Sequence, residues 1–138
     1  FDAVEGSLKK LQSVSTIPDS VRDRNRFSTA EIAIHPSGKF LYVSNRGHDS
    51  ISLFGINEKS GKLVLKSVEP THCQTPRHFA IAPGGNRLYA AGQNSGTITG
   101  FMIDPTTGKL SFMNRTIKVP KPVCIVFSRP LSPGPEKP

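Results

Sequence analysis

The sequence predicts an all-β protein made of tandem four-stranded antiparallel units, and three observations lead to that prediction. Short apolar runs alternate with turn residues, since the 138-residue chain contains 12 Gly and 12 Pro. No segment shows the period of an amphipathic helix of useful length. The third observation is a repeat with a constant spacing of 47 residues, and evenly spaced short strands separated by turn signals are typical of all-β architectures.

The repeat indicates which β-architecture is present. Nine residues recur 47 positions later without a gap, and so many matches at one spacing are hard to obtain by chance. The pairs are Pro36/Pro83, Gly38/Gly85, Leu41/Leu88, Tyr42/Tyr89, Ile51/Ile98, Phe54/Phe101, Ile56/Ile103, Gly61/Gly108 and Leu63/Leu110. Tandem antiparallel units of this length are typical of propeller blades. The predicted fold is a β-propeller fragment of about two and a half four-stranded antiparallel blades.

Each repeat divides into four short strands. In the first repeat they are expected at 30–34, 40–44, 50–56 and 62–68. Turn residues such as those at 57–61 separate them. Tyr42 and Tyr89 are expected to form core, whereas His35, which precedes a Pro-Ser-Gly turn, is expected to be exposed.

The predicted organisation has five parts along the chain. They are the end of a preceding blade with a long loop (1–28), two blades (29–75 and 76–121), an innermost closing strand (122–127) and a proline-rich tail (128–138). Propellers close with roughly four to eight blades. We therefore expect a C-terminal fragment of a longer protein, or one member of an assembly, with self-association through exposed blade edges.

The charge balance limits the classes of partner. The chain has 18 Lys and Arg against 10 Asp and Glu, a formal net charge of +8. Its densest basic cluster, at 22–26, is interrupted by Asp23, and no basic stripe with interleaved aromatic residues follows. This pattern does not favour nucleic acid, and no apolar run is long enough to span a membrane. The positive charge remains compatible with an anionic surface or with a small acidic substrate.

The two cysteines point to neither a disulfide framework nor a metal centre. Cys73 and Cys124 do not pair into a zinc motif, and the spacing of His72, Cys73 and His78 matches no standard ligand pattern. We expect no metal and no cofactor. Free thiols favour a reducing compartment, so a cytoplasmic location is expected.

Three segments resemble a known family. Residues 30–51 read AEIAIHPSGKFLYVSNRGHDSI, residues 75–83 read TPRHFAIAP and residues 122–127 read PVCIVF. They resemble the seven-bladed lactonase propellers, a family of bacterial 6-phosphogluconolactonases and fungal carboxymuconate cyclases, over about residues 1–127. Seven blades need roughly 330 residues, so over half of such a protein is absent. The resemblance implies a lactonase-type hydrolase of carbohydrate metabolism, in the pentose phosphate pathway.

The resemblance also implies a set of site residues. The catalytic candidates are Glu31, Arg46 and Arg77, and the substrate-binding candidates are His78, His48 and Asn45. Glu31 is expected to act as a general base or to orient a water molecule. The two arginines are expected to clamp the acidic group of the substrate or to stabilise an oxyanion, because a guanidinium binds carboxylate or phosphate in two places at once.

Structural roles remain open for the same residues. Glu31 would brace adjacent blades if it formed a buried ion pair with Arg77, Arg46 would cap turn carbonyls, and His48 would bond to Asp49 or to the backbone of its turn. Three functions also remain open. They are hydrolysis of an acidic sugar lactone such as 6-phosphogluconolactone, cyclase-type lactone chemistry on a carboxymuconate, and a non-catalytic binding scaffold.

Overall fold

The computed structural model describes residues 4–21 and 24–128, and the regular structure in these ranges is β-strand apart from one 3-10 turn, Arg24–Arg26. The strands are β1 (Ser28–Ile34), β2 (Phe40–Arg46), β3 (Ser50–Ile56), β4 (Leu63–Pro70), β5 (Pro76–Ile81), β6 (Arg87–Gly92), β7 (Thr97–Ile103) and β8 (Leu110–Lys118). Within the described ranges, no helix is long and apolar enough to cross a membrane.

The strands form two four-stranded antiparallel sheets. The order is β1-β2-β3-β4 in the first and β5-β6-β7-β8 in the second, so every strand pairs with its neighbour in the chain. Strands β2 and β3 begin at the residues where the repeat places them, Phe40 and Ser50. The all-β, blade-like prediction is confirmed.

The hairpins that join the last two strands of each sheet show how the repeat builds the same structure twice. The side-chain oxygen of the first turn residue, Asn57 or Asp104, accepts hydrogen bonds from two backbone N–H groups further along the turn. A glycine with positive φ ends each turn, at 67° for Gly61 and 73° for Gly108. This left-handed conformation is readily adopted only by glycine.

The two sheets pack against each other through the main core, which consists of Phe40, Tyr42, Ile51, Leu53, Cys73, Phe79, Leu88, Ala90, Phe101, Ile103 and Leu110. Two of the hydrogen bonds that join the sheets come from side chains of the first sheet beside this core. The Tyr42 hydroxyl donates to the Gly108 carbonyl at 2.6 Å, and His35 Nε2 donates to the Gly85 carbonyl at 2.7 Å. The expectation that His35 is exposed is therefore wrong: the side chain is 8% exposed because its turn lies against the next sheet.

The segment before β1 lies along the first sheet. Gln12 exchanges two hydrogen bonds with the Leu63 backbone, at 3.1 and 2.8 Å. The Ser52 hydroxyl donates to the Thr16 carbonyl, and Ile17 is buried. Residues 1–3, 22–23 and 129–138 lie outside the described residues. These undescribed residues include the start of the predicted preceding blade, part of the basic cluster and nearly all of the predicted tail.

Equivalent positions of the two sheets differ in exposure. Phe79 on β5 is 1% exposed because the first sheet covers it, whereas its counterpart Ile32 on β1 is 59% exposed. Likewise Tyr42 is fully buried and Tyr89 is half-buried. Ile32 on the first sheet and Tyr89 on the second thus lie on faces that no further sheet covers, whereas their counterparts Phe79 and Tyr42 are buried where the two sheets meet.

The segment after β8 runs past β5. The structure assigns no strand to residues 122–128, although the Ile125 N–H donates a hydrogen bond to His78 on β5. The Ile125 N–H bonds to a side chain and not to a backbone carbonyl of β5, so this contact does not make the segment a strand of the second sheet. The ring-closing role of 122–127 stays a prediction.

Candidate functional site

Three residues from successive parts of the chain meet beside the first strands of the two sheets. Glu31 lies on β1, His78 lies 47 residues later at the equivalent position of β5, and Ile125 lies in the segment after β8. Glu31 Oε2 is 3.1 Å from His78 Nε2, and the Ile125 N–H donates to His78 Nδ1 at 3.2 Å. The fold therefore brings together one carboxylate, one imidazole and one backbone donor.

Irregular strand pairing places the charged residues. The pairing of β1 with β2 shifts register between Thr29 and Ile32, and that of β5 with β6 shifts between Pro76 and His78. Such bulges insert an unpaired residue and re-aim its side chain, and they recur beside active sites. Glu31 and Arg77 lie within these two irregular stretches.

The Glu31 carboxylate is held by donors on both of its oxygens. Oε1 accepts the Ile32 N–H at 3.0 Å, and Oε2 faces the His78 ring. The Glu31 backbone N–H donates to Ser44 Oγ at 3.0 Å, which ties the bulge to β2. The side chain is 31% exposed, so the oriented carboxylate remains accessible to solvent. A carboxylate oxygen accepts more than one hydrogen bond, so both oxygens keep capacity for a water molecule.

The Glu31–His78 contact answers one question left open by the sequence. The alternative partner was Arg77, but the contact that the structure records is with His78. Arg77 itself is exposed, and among the described residues its guanidinium makes no recorded hydrogen bond or ion pair. Arg77 is therefore available for an external anion.

Arg46 ends β2 and is half-buried. Its Nε is buried and has no hydrogen-bond partner among the described residues. A buried donor without a partner costs free energy, so this atom keeps capacity for a further hydrogen bond. No cap from the Arg46 Nε to a turn carbonyl is formed.

The side chains of Asn45 and His48 bond within the first sheet and its β2–β3 turn. Asn45 is 1% exposed, and its Nδ2 donates to Ser50 Oγ at 3.0 Å and to Ser52 Oγ at 2.8 Å. His48 Nδ1 lies 2.7 Å from Ser50 Oγ, and its ring packs edge-on against Phe27. His48 thus bonds to Ser50 and not to Asp49. The substrate-binding roles of Asn45 and His48 stay predictions.

Asp49 joins the turn that carries Arg46 to the strand that carries Arg77, and the sequence reasoning missed it. Its Oδ1 accepts the Gly47 N–H at 3.2 Å and the Thr75 N–H at 2.9 Å. The repeat has Gly96 where Asp49 stands, but most positions differ between the two copies, so this difference does not single Asp49 out.

The residues 72–78 that invited a metal hypothesis have separate partners. The His72 ring stacks on Phe112 with centroids 4.0 Å apart, His78 pairs with Glu31, and Cys73 is buried. Burial raises the pKa of the Cys73 thiol. In the part of the chain that the structure describes, no three His, Cys, Asp or Glu side chains come together as metal ligands, and both cysteines are free.

Comparison with known proteins agrees with this architecture. Residues 1–127 match the model of the lactonase family of seven-bladed β-propellers. The chain is 36% identical over 127 residues to the 6-phosphogluconolactonase of Bacillus subtilis, covering 92% of this chain and 36% of that protein. It is 41% identical over 82 residues to the 6-phosphogluconolactonase of Formosa agariphila, covering 58% of this chain and 22% of that protein.

Solved structures give the same picture. A protein from Lactobacillus plantarum superimposes with a TM-score of 0.84 at 32% identity, covering 90% of this chain and 36% of that one. The periplasmic gluconolactonase of Pseudomonas aeruginosa superimposes with a TM-score of 0.76 at 28% identity, covering 85% and 32%. The chain thus spans about a third or less of the length of these relatives.

Proposed function

Because the chain belongs to the lactonase family of seven-bladed β-propellers, we propose that it forms part of the active site of a lactone hydrolase. The proposed substrate is an acidic sugar lactone such as 6-phosphogluconolactone. The observation that carries the proposal is the Glu31 carboxylate, held by His78 at 3.1 Å and by the Ile32 N–H at 3.0 Å while 31% exposed. The proposal also rests on the similarity of this chain to two proteins named 6-phosphogluconolactonase.

In the proposed reaction, Glu31 serves as the general base. Its carboxylate takes a proton from water as the water oxygen attacks the lactone carbonyl. The tetrahedral intermediate then collapses, the bond between the carbonyl carbon and the ring oxygen breaks, and the proton passes from Glu31 to the leaving oxygen. The product is the open-chain hydroxy acid, and the carboxylate is regenerated. No redox partner is needed.

Arg46 and Arg77 serve as anion-binding groups in the proposal. The exposed Arg77 would bind the phosphate or carboxylate of the substrate, and the guanidinium of the half-buried Arg46 would donate to the oxyanion or to the same acidic group. A guanidinium suits both tasks because it presents several N–H donors in a fixed plane. His78 is the partner of Glu31, and Asn45 and His48 complete the predicted substrate-binding set.

Further blades would complete the proposed site. The chain spans about a third of its Bacillus subtilis relative, and the exposed apolar side chain of Ile32 offers a face for a further blade. We propose that the walls of the site opposite Glu31 come from such blades, in the same chain or in trans. The free thiols favour the cytoplasm as the location.

Hydrolysis by a complete ring tests the proposal. In a chimaera, residues 1–127 replace the matching segment of the Bacillus subtilis relative. We expect it to hydrolyse 6-phosphogluconolactone, and E31Q to lower kcat by roughly 10²- to 10⁴-fold, the usual contribution of a general base. H72Q is the matched control, since His72 stacks on Phe112 and has no part in the proposed site. Full activity of E31Q, or conversion of carboxymuconate without lactone hydrolysis, would overturn the proposal.

A further inference from the structure

We propose that the backbone N–H of Ile125 fixes the tautomer of His78 and so makes His78 the positioning residue for Glu31. The inference rests on the proposed role of Glu31 as the base. Its evidence is a chain of two contacts through one imidazole. The Ile125 N–H donates to Nδ1 at 3.2 Å, and Nε2 on the other side of the ring lies 3.1 Å from Glu31 Oε2.

The first contact determines where the ring carries its proton. A nitrogen that accepts a hydrogen bond cannot itself bear hydrogen, so the proton of neutral His78 is on Nε2. The tautomer of a histidine is set in this way by the bond that the opposite nitrogen makes. The Nε2–H then points at Glu31 Oε2 and orients the carboxylate from the neighbouring strand.

The arrangement gives the segment after β8 a role that its side chains do not reveal. Residues 122–128 form no strand, and Cys124 and Val126 beside Ile125 are exposed. What Ile125 contributes is its N–H, which reaches the ring of His78 on β5. The position of this segment and the orientation of the Glu31 carboxylate are thereby linked.

Two variants of the 138-residue chain separate the N–H from the side chain. Ile125→Pro removes the donor, whereas Ile125→Ala keeps it and removes most of the side chain. The readout is the pair of ¹⁵N chemical shifts of the His78 ring at one fixed pH near neutrality, with His72 as internal reference. Among the neutral rings, we expect the ratio of the Nδ1–H tautomer to the Nε2–H tautomer to be roughly five- to tenfold higher in I125P than in I125A, the change that corresponds to about one hydrogen bond.

The unsubstituted chain supplies a test that depends on no variant. We expect a through-hydrogen-bond ¹⁵N–¹⁵N coupling between Ile125 and His78 Nδ1, with hydrogen on Nε2. Absence of the coupling, hydrogen on Nδ1, or equal ratios in I125P and I125A would overturn the inference. An E31Q chimaera that retains full hydrolysis would overturn the proposed function instead, and it would leave the tautomer result standing.

Discussion

The hydroxyl of Tyr42 is a sharp test of how the two sheets hold together. Tyr42 is fully buried, and its hydroxyl donates to the Gly108 carbonyl of the neighbouring sheet at 2.6 Å. Burial raises the pKa of Tyr42 well above its usual range, so the phenol is a neutral hydrogen-bond donor at neutral and moderately alkaline pH. Tyr42→Phe keeps the ring and deletes the donor, which leaves a buried carbonyl without its partner.

We expect Y42F to lower the free energy of unfolding by about 1–3 kcal/mol, the cost of leaving a buried polar group unpaired. For a chain of this length, each kcal/mol corresponds to roughly 3–5 °C in Tm. The repeat provides the control, because Tyr89 is the equivalent residue but is half-buried, with no hydrogen bond recorded for its hydroxyl in the described part of the chain. Y89F should change stability by less than about 0.5 kcal/mol.

The assay is urea denaturation of both variants and the parent chain, followed by far-UV circular dichroism. Because the two substitutions are chemically identical, the difference between them isolates the buried contact. Equal stability of Y42F and Y89F would refute the claim that the Tyr42–Gly108 bond joins the sheets.

Two further predictions concern the same interface and the thiols. Gly108→Ala should lower Tm more than Gly38→Ala. Both glycines have positive φ, but a Cβ at Gly108 would lie 2.7 Å from the Phe40 ring, whereas a Cβ at Gly38 would meet open space. Equal decreases in Tm would contradict this packing argument. Ellman's reagent at pH 8 should modify Cys124 quickly and Cys73 slowly, because burial raises the pKa of the Cys73 thiol whereas Cys124 is exposed. C124S should remove the fast phase and C73S should not.

The repeat made most of the fold predictable. Spacing and turn residues were enough to locate β2 and β3, because each turn depends on local features such as the Asn57 side chain or the positive φ of Gly61. His35 was mispredicted because its burial depends on Gly85, fifty residues away in the next sheet. The local sequence pattern predicts the turn itself, but it does not predict which part of the next sheet packs against the turn.

The site was predictable only as a set of residue types. The family resemblance singled out Glu31 and His78, but their contact was not foreseen, because it depends on a bulge in each of two strands. Asp49 was missed because its carboxylate binds only backbone N–H groups, which leave no mark in sequence. The Ile125 N–H was missed for the same reason.

The most direct test of the proposed function is a crystal structure of the ring-completed chimaera with 6-phosphogluconate, the product of the proposed reaction. We expect the new carboxyl group to lie beside Glu31, with the guanidinium groups of Arg46 and Arg77 within hydrogen-bond distance of the phosphate or carboxylate. Product bound elsewhere, with none of these three side chains in contact, would contradict the proposed function.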